Sequence, residues 1–230
     1  FEDHMEENHF TAKKTTPIPW TARWEAPSNI ALIKYWGKTT PQIPKHPSLS
    51  FTLSSSVTQT QVVFEPVSSG AFDFNFYFEG VAKPDFKPKL QTFFKRIESY
   101  IPWIQGYQLT IKSHNTFPHS SGIASSASAM ASLAMCLMDL EQKLVSDMEP
   151  EFFHQKASFL ARLGSGSAAR SVQGPVTLWG VNKIQNRSSN LYAIPFGPDL
   201  HPVFSTYQDT ILLVDKGTKA VSSSQGHQLM

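Results

Sequence analysis

A serine-rich loop that leads into a helix of small residues is the segment best suited to chemistry. It reads Asn115-Thr-Phe-Pro-His-Ser-Ser-Gly-Ile-Ala-Ser-Ser-Ala127. A helix N-terminus presents unpaired N–H groups and the positive end of the helix dipole, so it binds phosphate well. Hydroxyl groups and a glycine that admits close approach add to this, and the candidate ligands are Ser120, Ser121, Gly122, Ser125 and Ser126. The alternative is ordinary capping of the helix by one of these serines.

A second serine- and glycine-rich segment, Gly164-Ser-Gly-Ser-Ala-Ala-Arg170, follows the same logic. Ser165 and Ser167 place backbone and hydroxyl donors where they can converge on an anion. Arg170 lies about one helical turn further on, and its planar guanidinium suits a carboxylate or phosphate. A glycine that caps one helix before the next begins is the alternative. Because Lys38 adds a cation beside another glycine, the three segments together favour an anionic ligand.

Several other chemistries lack their residue patterns. The chain has neither the Gly-x-x-x-x-Gly-Lys-Ser/Thr sequence of a Walker P-loop nor a Gly-x-Gly-x-x-Gly after a strand. Its histidines show no zinc-ligand spacing, and it has no Gly-x-Ser-x-Gly elbow of a serine hydrolase. We interpret His119 as a surface residue of the first loop and Cys136 as a buried thiol rather than a nucleophile.

The elements that must position these segments mix strands with helices. Alternating apolar residues predict strands at 72–78 and 107–113, and the Thr- and Val-rich stretch 48–65 predicts two strands around 54–56. The remaining predictions are helices at 84–100, 125–144 and 151–163, a helix that begins near Ser165, and strands at 175–181, 191–194 and 210–214. Because strands and helices do not alternate regularly, we predict an α+β fold.

Composition and charge exclude several classes of protein. Hydrophobic residues make up 40% of the 230 residues and charged residues 17%, which excludes disorder of the whole chain. Twenty basic and 18 acidic residues nearly balance, so the chain lacks the large positive charge that would indicate binding to nucleic acid or an acidic membrane. A single cysteine excludes a disulfide-stapled secreted protein, and no apolar run reaches the roughly 20 residues of a membrane span. We therefore expect a cytoplasmic protein with a small-molecule substrate, and its oligomeric state, including a homodimer, stays open.

Several segments resemble the signatures of one enzyme family. Pro118-x-x-x-Gly122-Ile-Ala-Ser-Ser126 is similar to the phosphate-binding motif of the GHMP kinase superfamily. Within that superfamily, Asn29-Ile-Ala-Leu-Ile-Lys-Tyr-Trp-Gly-Lys38 and Gly164–Arg170 resemble two signatures of the diphosphomevalonate decarboxylase family. Ser222-Ser-Ser-Gln-Gly226 resembles a further serine motif of the same family. The resemblance extends over residues 24–230.

The resemblance implies an enzyme of the mevalonate pathway of isoprenoid biosynthesis. Such an enzyme uses ATP and Mg²⁺ to phosphorylate the tertiary hydroxyl of mevalonate 5-diphosphate, and loss of phosphate and carbon dioxide then gives isopentenyl diphosphate. Phosphate leaves more readily than hydroxide, and the electron-poor carbon draws out the carboxylate electrons. Two alternatives stay open: a GHMP-type kinase that phosphorylates a mevalonate-like alcohol without decarboxylation, and a non-catalytic nucleotide-binding homologue.

The resemblance also implies a role for each candidate residue. Arg170 would orient the carboxylate that leaves, Asn29 would fix the guanidinium, and Ser126 would lie near the transferred group and Mg²⁺. The residues implied to bind ATP are Asn115, Ser120, Ser121, Gly122, Ser125 and Ser126. Those implied to bind the substrate are Tyr35, Lys38, Ser165, Ser167, Arg170 and Ser223.

The implied fold is a GHMP kinase-like pair of α+β lobes with the site between them, the first lobe resembling ribosomal protein S5. We expect residues 1–14 to be a tag remnant and flexible N-terminus, 15–188 the ATP-binding lobe, and 189–230 the start of the second lobe. The family's aspartate base lies in an Asp-Ala-Gly-Pro-Asn-like stretch that this sequence lacks, so we expect the remainder of the second lobe to lie outside it. Two departures from the family pattern are His46-Pro47-Ser48, where Asn-Ser-Ser is usual, and Ser224, where many bacterial relatives have arginine.

Overall fold

A computed structural model describes residues 7–68, 72–118, 123–197 and 200–212, which form an α+β domain as predicted. Its strands are β1 (Trp20–Ile33), β2 (Lys38–Thr39), β3 (Ile43–Pro44), β4 (Ser48–Pro66), β5 (Asp73–Phe78), β6 (Val81–Ala82), β7 (Tyr107–Asn115), β8 (Val176–Trp179) and β9 (Ala193–Pro195). Its α-helices are α1 (Lys87–Ile97), α2 (Ser125–Leu144) and α3 (Pro150–Gly164). Short 3₁₀ helices span Glu7–Phe10, Pro84–Phe86, Pro102–Gly106, Gly166–Ser171 and Pro202–Thr206.

Strand β4 organises the sheet because both of its edges are paired. One edge pairs antiparallel with β1, and the other pairs antiparallel with β8 near its start and with β7 along its second half. Strand β5 lies parallel to β7, and β6 and β9 complete the two ends of the order β6-β5-β7-β4-β8-β9. Strands β2 and β3 form a separate two-stranded hairpin.

The stretch 48–65 forms one strand rather than the two that its sequence predicts. Its pairing with β1 jumps from Pro27 opposite Val57 to Ser28 opposite Leu53, so residues 54–56 form a bulge instead of a turn. A bulge bends a strand without ending it. The polar residues near 54–56 therefore mark a bend, and a single strand reaches both β7 and β8.

Helix α2 lies directly against the sheet, and its serines form part of the contact. The Oγ atom of Ser128 lies 2.6 Å from Thr58 Oγ1, and that of Ser132 lies 2.7 Å from Thr60 Oγ1. These four buried hydroxyl groups satisfy one another, which removes the cost of burying them. The apolar residues of α2 complete the core. The thiol of Cys136 is fully buried, as predicted, and desolvation raises its pKa.

Several predicted elements have different limits in the structure. The helix expected at 84–100 begins as a 3₁₀ turn and is α-helical only over Lys87–Ile97. A strand is expected at 210–214, but the described part of it, residues 210–212, forms no β-strand. The helix expected near Ser165 is the 3₁₀ helix Gly166–Ser171, which Ser165 precedes in extended conformation. No helix among the described residues has the length and apolar character needed to cross a membrane.

Two predicted domain limits also differ from the structure. Residues 7–14 are not the loose tail that their polarity suggests, because Phe10 is fully buried and stacks on Phe159 at 4.6 Å between ring centroids. The boundary expected after residue 188 falls within one sheet, since β9 pairs with β8. Residues up to Pro195 therefore belong to the same sheet as β8.

Candidate active site

Arg170 lies in a buried cluster of neutral groups. Its Nε donates to Ser50 Oγ at 2.9 Å, and its Nη1 donates to Ser48 Oγ at 2.6 Å. The guanidinium carbon lies 5.6 Å from the ring centroids of both Tyr35 and Trp179, within cation–π range. The side chain is 2% exposed. Two strands and a loop thus fix the plane of the guanidinium.

Asn29 lies against Arg170, as the sequence resemblance implies. Its Oδ1 accepts a 3.4 Å hydrogen bond from Arg170 Nη2, while its Nδ2 donates to Ser171 Oγ at 2.7 Å and to the Ser167 carbonyl at 3.1 Å. The preceding residue, Ser28, donates to the carbonyl of Ile123 just before α2. Neighbouring residues of β1 therefore contact both the Gly164–Arg170 segment and the residue that leads into α2.

The charge of Arg170 is not neutralised by any carboxylate in the described part of the chain. Every hydrogen-bond acceptor found for it there is a hydroxyl or amide oxygen. Desolvation lowers its pKa to about 10, and Tyr35 opposes this shift, so the guanidinium is charged at neutral pH. A buried charge without a counterion is costly. Because no acid among these residues pairs with Arg170, the site suits an anionic ligand.

The Gly164–Arg170 segment connects α3 to this cluster. Ser167 and Arg170 lie three residues apart in a 3₁₀ helix, where side chains at that spacing eclipse one another. Ser165 and Ser167 are both half-buried. Gly164 ends α3 with ordinary helical geometry, and a Cβ atom there would lie 2.6 Å from Met130 Sδ. Packing against α2, rather than left-handed capping, explains this glycine.

Lys38 lies at the start of the β2–β3 hairpin and near Arg96 of α1. Partial desolvation, and to a smaller extent the charge of Arg96, lower the pKa of Lys38. Arg96 Nη1 donates to the Leu163 carbonyl at 2.8 Å, two residues before Ser165. Two cations therefore lie close to each other beside the end of α3.

Tyr35, which belongs to the Asn29–Lys38 signature, is half-buried. Desolvation raises its pKa, and the positive charge of Arg170 partly opposes this rise.

The N-terminus of α2 lies beside an amide group with an unused donor. Asn115 Oδ1 accepts from Thr58 Oγ1 at 2.8 Å, and the Asn115 backbone N–H donates to Glu79 Oε1 at 2.9 Å. Its Nδ2 is buried and has no hydrogen-bond partner among the described residues. Ser125 and Ser126, half-buried in the first turn of α2, line a pocket together with Asn115.

That pocket is largely apolar. Phe76, Phe78, Phe86 and Ile111 line it together with apolar residues of α2. Lys89 of α1 also lines it, and desolvation lowers the pKa of this lysine. Aromatic walls with a few polar donors are typical of sites that bind a flat organic ring. The remaining predicted residues of both sites, namely Ser120, Ser121, Gly122 and Ser223, lie outside the described residues, as does His119 of the first loop.

Sequence reasoning missed several groups that the fold brings to these sites. Ser48 and Ser50 contact Arg170 but lie about 120 positions away in the sequence. Short hydroxyl side chains in a strand belong to no catalytic pattern, although their alternate spacing places them on one face of β4. The other groups missed are Trp179, Arg96 and Lys89.

The fold is that of an α+β domain of the GHMP kinase type. Residues 26–190 match the family described as "Diphosphomevalonate decarboxylase-like N-terminal domain". The chain belongs to this family. Diphosphomevalonate decarboxylase of Saccharomyces cerevisiae is 30% identical over 222 residues, which cover 91% of this chain and 53% of the yeast protein. The corresponding protein of Aspergillus fumigatus is 31% identical, with 91% and 52% covered.

Solved structures of the same family share the fold. Mevalonate diphosphate decarboxylase from Enterococcus faecalis superposes with a TM-score of 0.62 and 29% identity, covering 79% of this chain and 53% of that one. The structure described as "MDDEF in complex with MVAPP, AMPPCP and Magnesium" gives a TM-score of 0.61 at 29% identity, with 79% and 52% covered. The chain thus spans about half the length of these relatives.

Proposed function

We propose that this chain forms the first lobe of an enzyme that decarboxylates mevalonate 5-diphosphate to isopentenyl diphosphate, at the expense of ATP. The observation that carries the proposal is the buried guanidinium of Arg170, which has no carboxylate partner among the described residues. It lies beside a segment whose hydroxyl and backbone N–H groups can donate hydrogen bonds to an anion. A guanidinium binds phosphate or carboxylate, and the segment beside Arg170 already supplies hydroxyl donors for a phosphate. This leaves Arg170 for a second anionic group. The substrate has such a group, its carboxylate.

The residues around Arg170 divide the work of holding this substrate. Ser165, Ser167 and Lys38 bind the diphosphate, since hydroxyl and ammonium donors position phosphate oxygens without taking part in bond changes. Arg170 binds the carboxylate and limits its rotation, so the carbon–carbon bond that breaks stays aligned with the leaving phosphate. Asn29, Ser48 and Ser50 keep the guanidinium in one orientation.

The start of α2 and the pocket beside it offer groups that suit a nucleoside triphosphate. Backbone N–H groups and hydroxyls at the helix N-terminus suit the phosphates. The unused Nδ2 donor of Asn115 and the aromatic wall of the pocket suit a base. Ser126 offers a hydroxyl oxygen of the kind that Mg²⁺ accepts as a ligand. When bound, MgATP supplies the phosphoryl group that turns the tertiary hydroxyl into a leaving group.

Because the relatives are about twice as long, we place the base that accepts the hydroxyl proton, and the rest of the second lobe, in sequence outside this chain. The test is therefore made on the full-length polypeptide, incubated with MgATP and mevalonate 5-diphosphate. We expect ADP, phosphate and carbon dioxide in equal amounts. ADP with a stable phosphorylated acid and no carbon dioxide would identify a kinase, and ATP binding without turnover would identify a nucleotide-binding homologue. Either result would refute the proposal.

A further inference from the structure

A second buried arginine, Arg162, lies outside the site described above and contacts three separate segments. It belongs to α3, three residues before Ser165, and is fully buried. Its Nε donates to the Leu191 carbonyl at 2.8 Å, and its Nη1 donates to the Pro41 carbonyl at 2.6 Å. Its Nη2 donates to Glu7 Oε1 at 3.3 Å. The side chain therefore ties α3 to the start of the chain and to the hairpin formed by β2 and β3.

The carbonyl of Pro41 belongs to the tip of that hairpin, which carries Lys38 at its base. The hairpin has only two residue pairs, Lys38 with Pro44 and Thr39 with Ile43. A two-stranded hairpin is at best marginally stable by itself, so outside contacts determine where it lies. Ile43, in the pair next to the tip, packs against the core. At the tip, the hydrogen bond from the Arg162 guanidinium holds the hairpin in place. Because its donor is charged, this bond is stronger than a hydrogen bond between neutral groups.

Glu7 supplies the negative charge that Arg162 needs. It is the one acid within ion-pair distance of Arg162 among the described residues, and its side chain is 35% exposed. Its second oxygen accepts a 2.7 Å hydrogen bond from Tyr100, and burial together with Glu7 raises the pKa of that tyrosine to about 12. The carboxylate is thus held in place from its other side. Phe10, buried three residues later, anchors the segment that carries it.

We propose that Arg162, neutralised by Glu7, is a positioning residue that holds the hairpin of Lys38 in the conformation that binds the substrate diphosphate. The inference rests on the proposed function for the identity of that substrate. Without the Glu7 carboxylate, the buried guanidinium loses its counterion and is drawn toward water, which weakens its bond to Pro41. The hairpin then spends less time in the binding conformation, and the apparent affinity for the diphosphate falls in proportion to the population lost.

The proposal is tested by replacing Glu7 with Gln, which keeps size and hydrogen bonding but removes the charge, in the full-length polypeptide. If the binding conformation falls to between a third and a tenth of its population, KM for mevalonate 5-diphosphate rises about three- to tenfold. We expect kcat and KM for ATP to stay unchanged, and Glu7→Asp to restore the substrate KM. Glu151→Gln is the matched control, because it removes one charge of a surface ion pair on α3, the helix that carries Arg162.

A second measurement separates this proposal from the proposed function. Hydrogen–deuterium exchange of the amides at 38–44 should be faster in Glu7→Gln than in the wild type, and unchanged in Glu151→Gln. Unchanged exchange, equal changes in both KM values, or a loss of turnover that follows the melting temperature would overturn the positioning role. If the wild type does not turn over mevalonate 5-diphosphate, the proposed function fails, and the exchange result alone decides whether Glu7 controls the hairpin.

Discussion

Substitution of Arg170 by lysine tests the site most directly, because it keeps the charge and removes the planar fork. In the structure the fork makes hydrogen bonds to Ser50, Ser48 and Asn29. A lysine ammonium is a single point on a flexible chain and cannot occupy all three positions. The charge remains, but its direction is no longer fixed.

The expected effect follows from the bonds that are lost. A hydrogen bond to a charged group contributes about 1.5–3 kcal/mol. If the whole of that energy serves to align the substrate carboxylate for reaction, its loss lowers the rate by roughly 10- to 10²-fold. Loss of two such bonds, together with misplacement of the carboxylate, should lower kcat by about 10²-fold or more. KM for ATP should not change, because Arg170 is not among the residues that line the pocket proposed for the nucleotide.

The assay measures carbon dioxide release in single turnovers of full-length Arg170→Lys, with the melting temperature recorded in parallel. Ser48→Ala is the control, because it removes one acceptor while the fork and the other two bonds remain. We expect it to lower kcat by about tenfold, the effect of a single bond. Wild-type turnover in Arg170→Lys would refute the reasoning. So would equal losses in the two variants that simply follow their stability.

Three further predictions concern other parts of the domain. Ser126→Ala should raise KM for ATP by about tenfold through loss of one hydroxyl contact, whereas Ser132→Ala, deeper in α2, should lower only the melting temperature. Because the pKa of Lys38 is lowered, its charge is lost at a lower pH than that of an ordinary lysine, so KM for the diphosphate should rise with alkaline pH; Lys38→Arg should abolish this rise in a pH profile. Lys156 and Glu141 form a fully buried ion pair at 2.6 Å, so Lys156→Met alone should lower the free energy of unfolding by about 3–5 kcal/mol in urea denaturation, and adding Glu141→Leu should recover much of that loss.

The sequence predicts the helices and regular strands well where one local pattern controls the structure. Helix α2 begins and ends where its run of small and apolar residues predicts, and β7 follows the alternation of its apolar residues. The structure also places Asn29 against Arg170, two residues whose connection was suggested only by the family signatures. No periodicity in the sequence relates residues 141 positions apart.

The features that escaped prediction depend on long-range contacts. The polar residues at 54–56 look like a turn, but pairing with β1 on one edge keeps them within a single bulged strand. Phe10 lies in a polar segment, and only the folded arrangement of Phe159 and Tyr192 provides a place for it in the core. Ser48 and Ser50 accept hydrogen bonds from Arg170 only because β4 pairs with β8, and Arg170 lies next to β8.

Strand β1 provides a common reference for the two halves of the reaction. Ser28 contacts the backbone at Ile123, which leads into α2, and Asn29 contacts Arg170 and the backbone at Ser167. Both side chains are buried, and they are adjacent in the sequence, so the two anion-binding segments cannot shift independently without breaking these contacts. In the proposed reaction, the phosphoryl donor and the carboxylate must keep a fixed relation, because the tertiary C–O bond breaks after its oxygen is phosphorylated and the C–C bond to the carboxylate breaks as well. A rigid strand that touches both segments meets that requirement at the smallest cost in conformational freedom, because the ordering has already been achieved by folding.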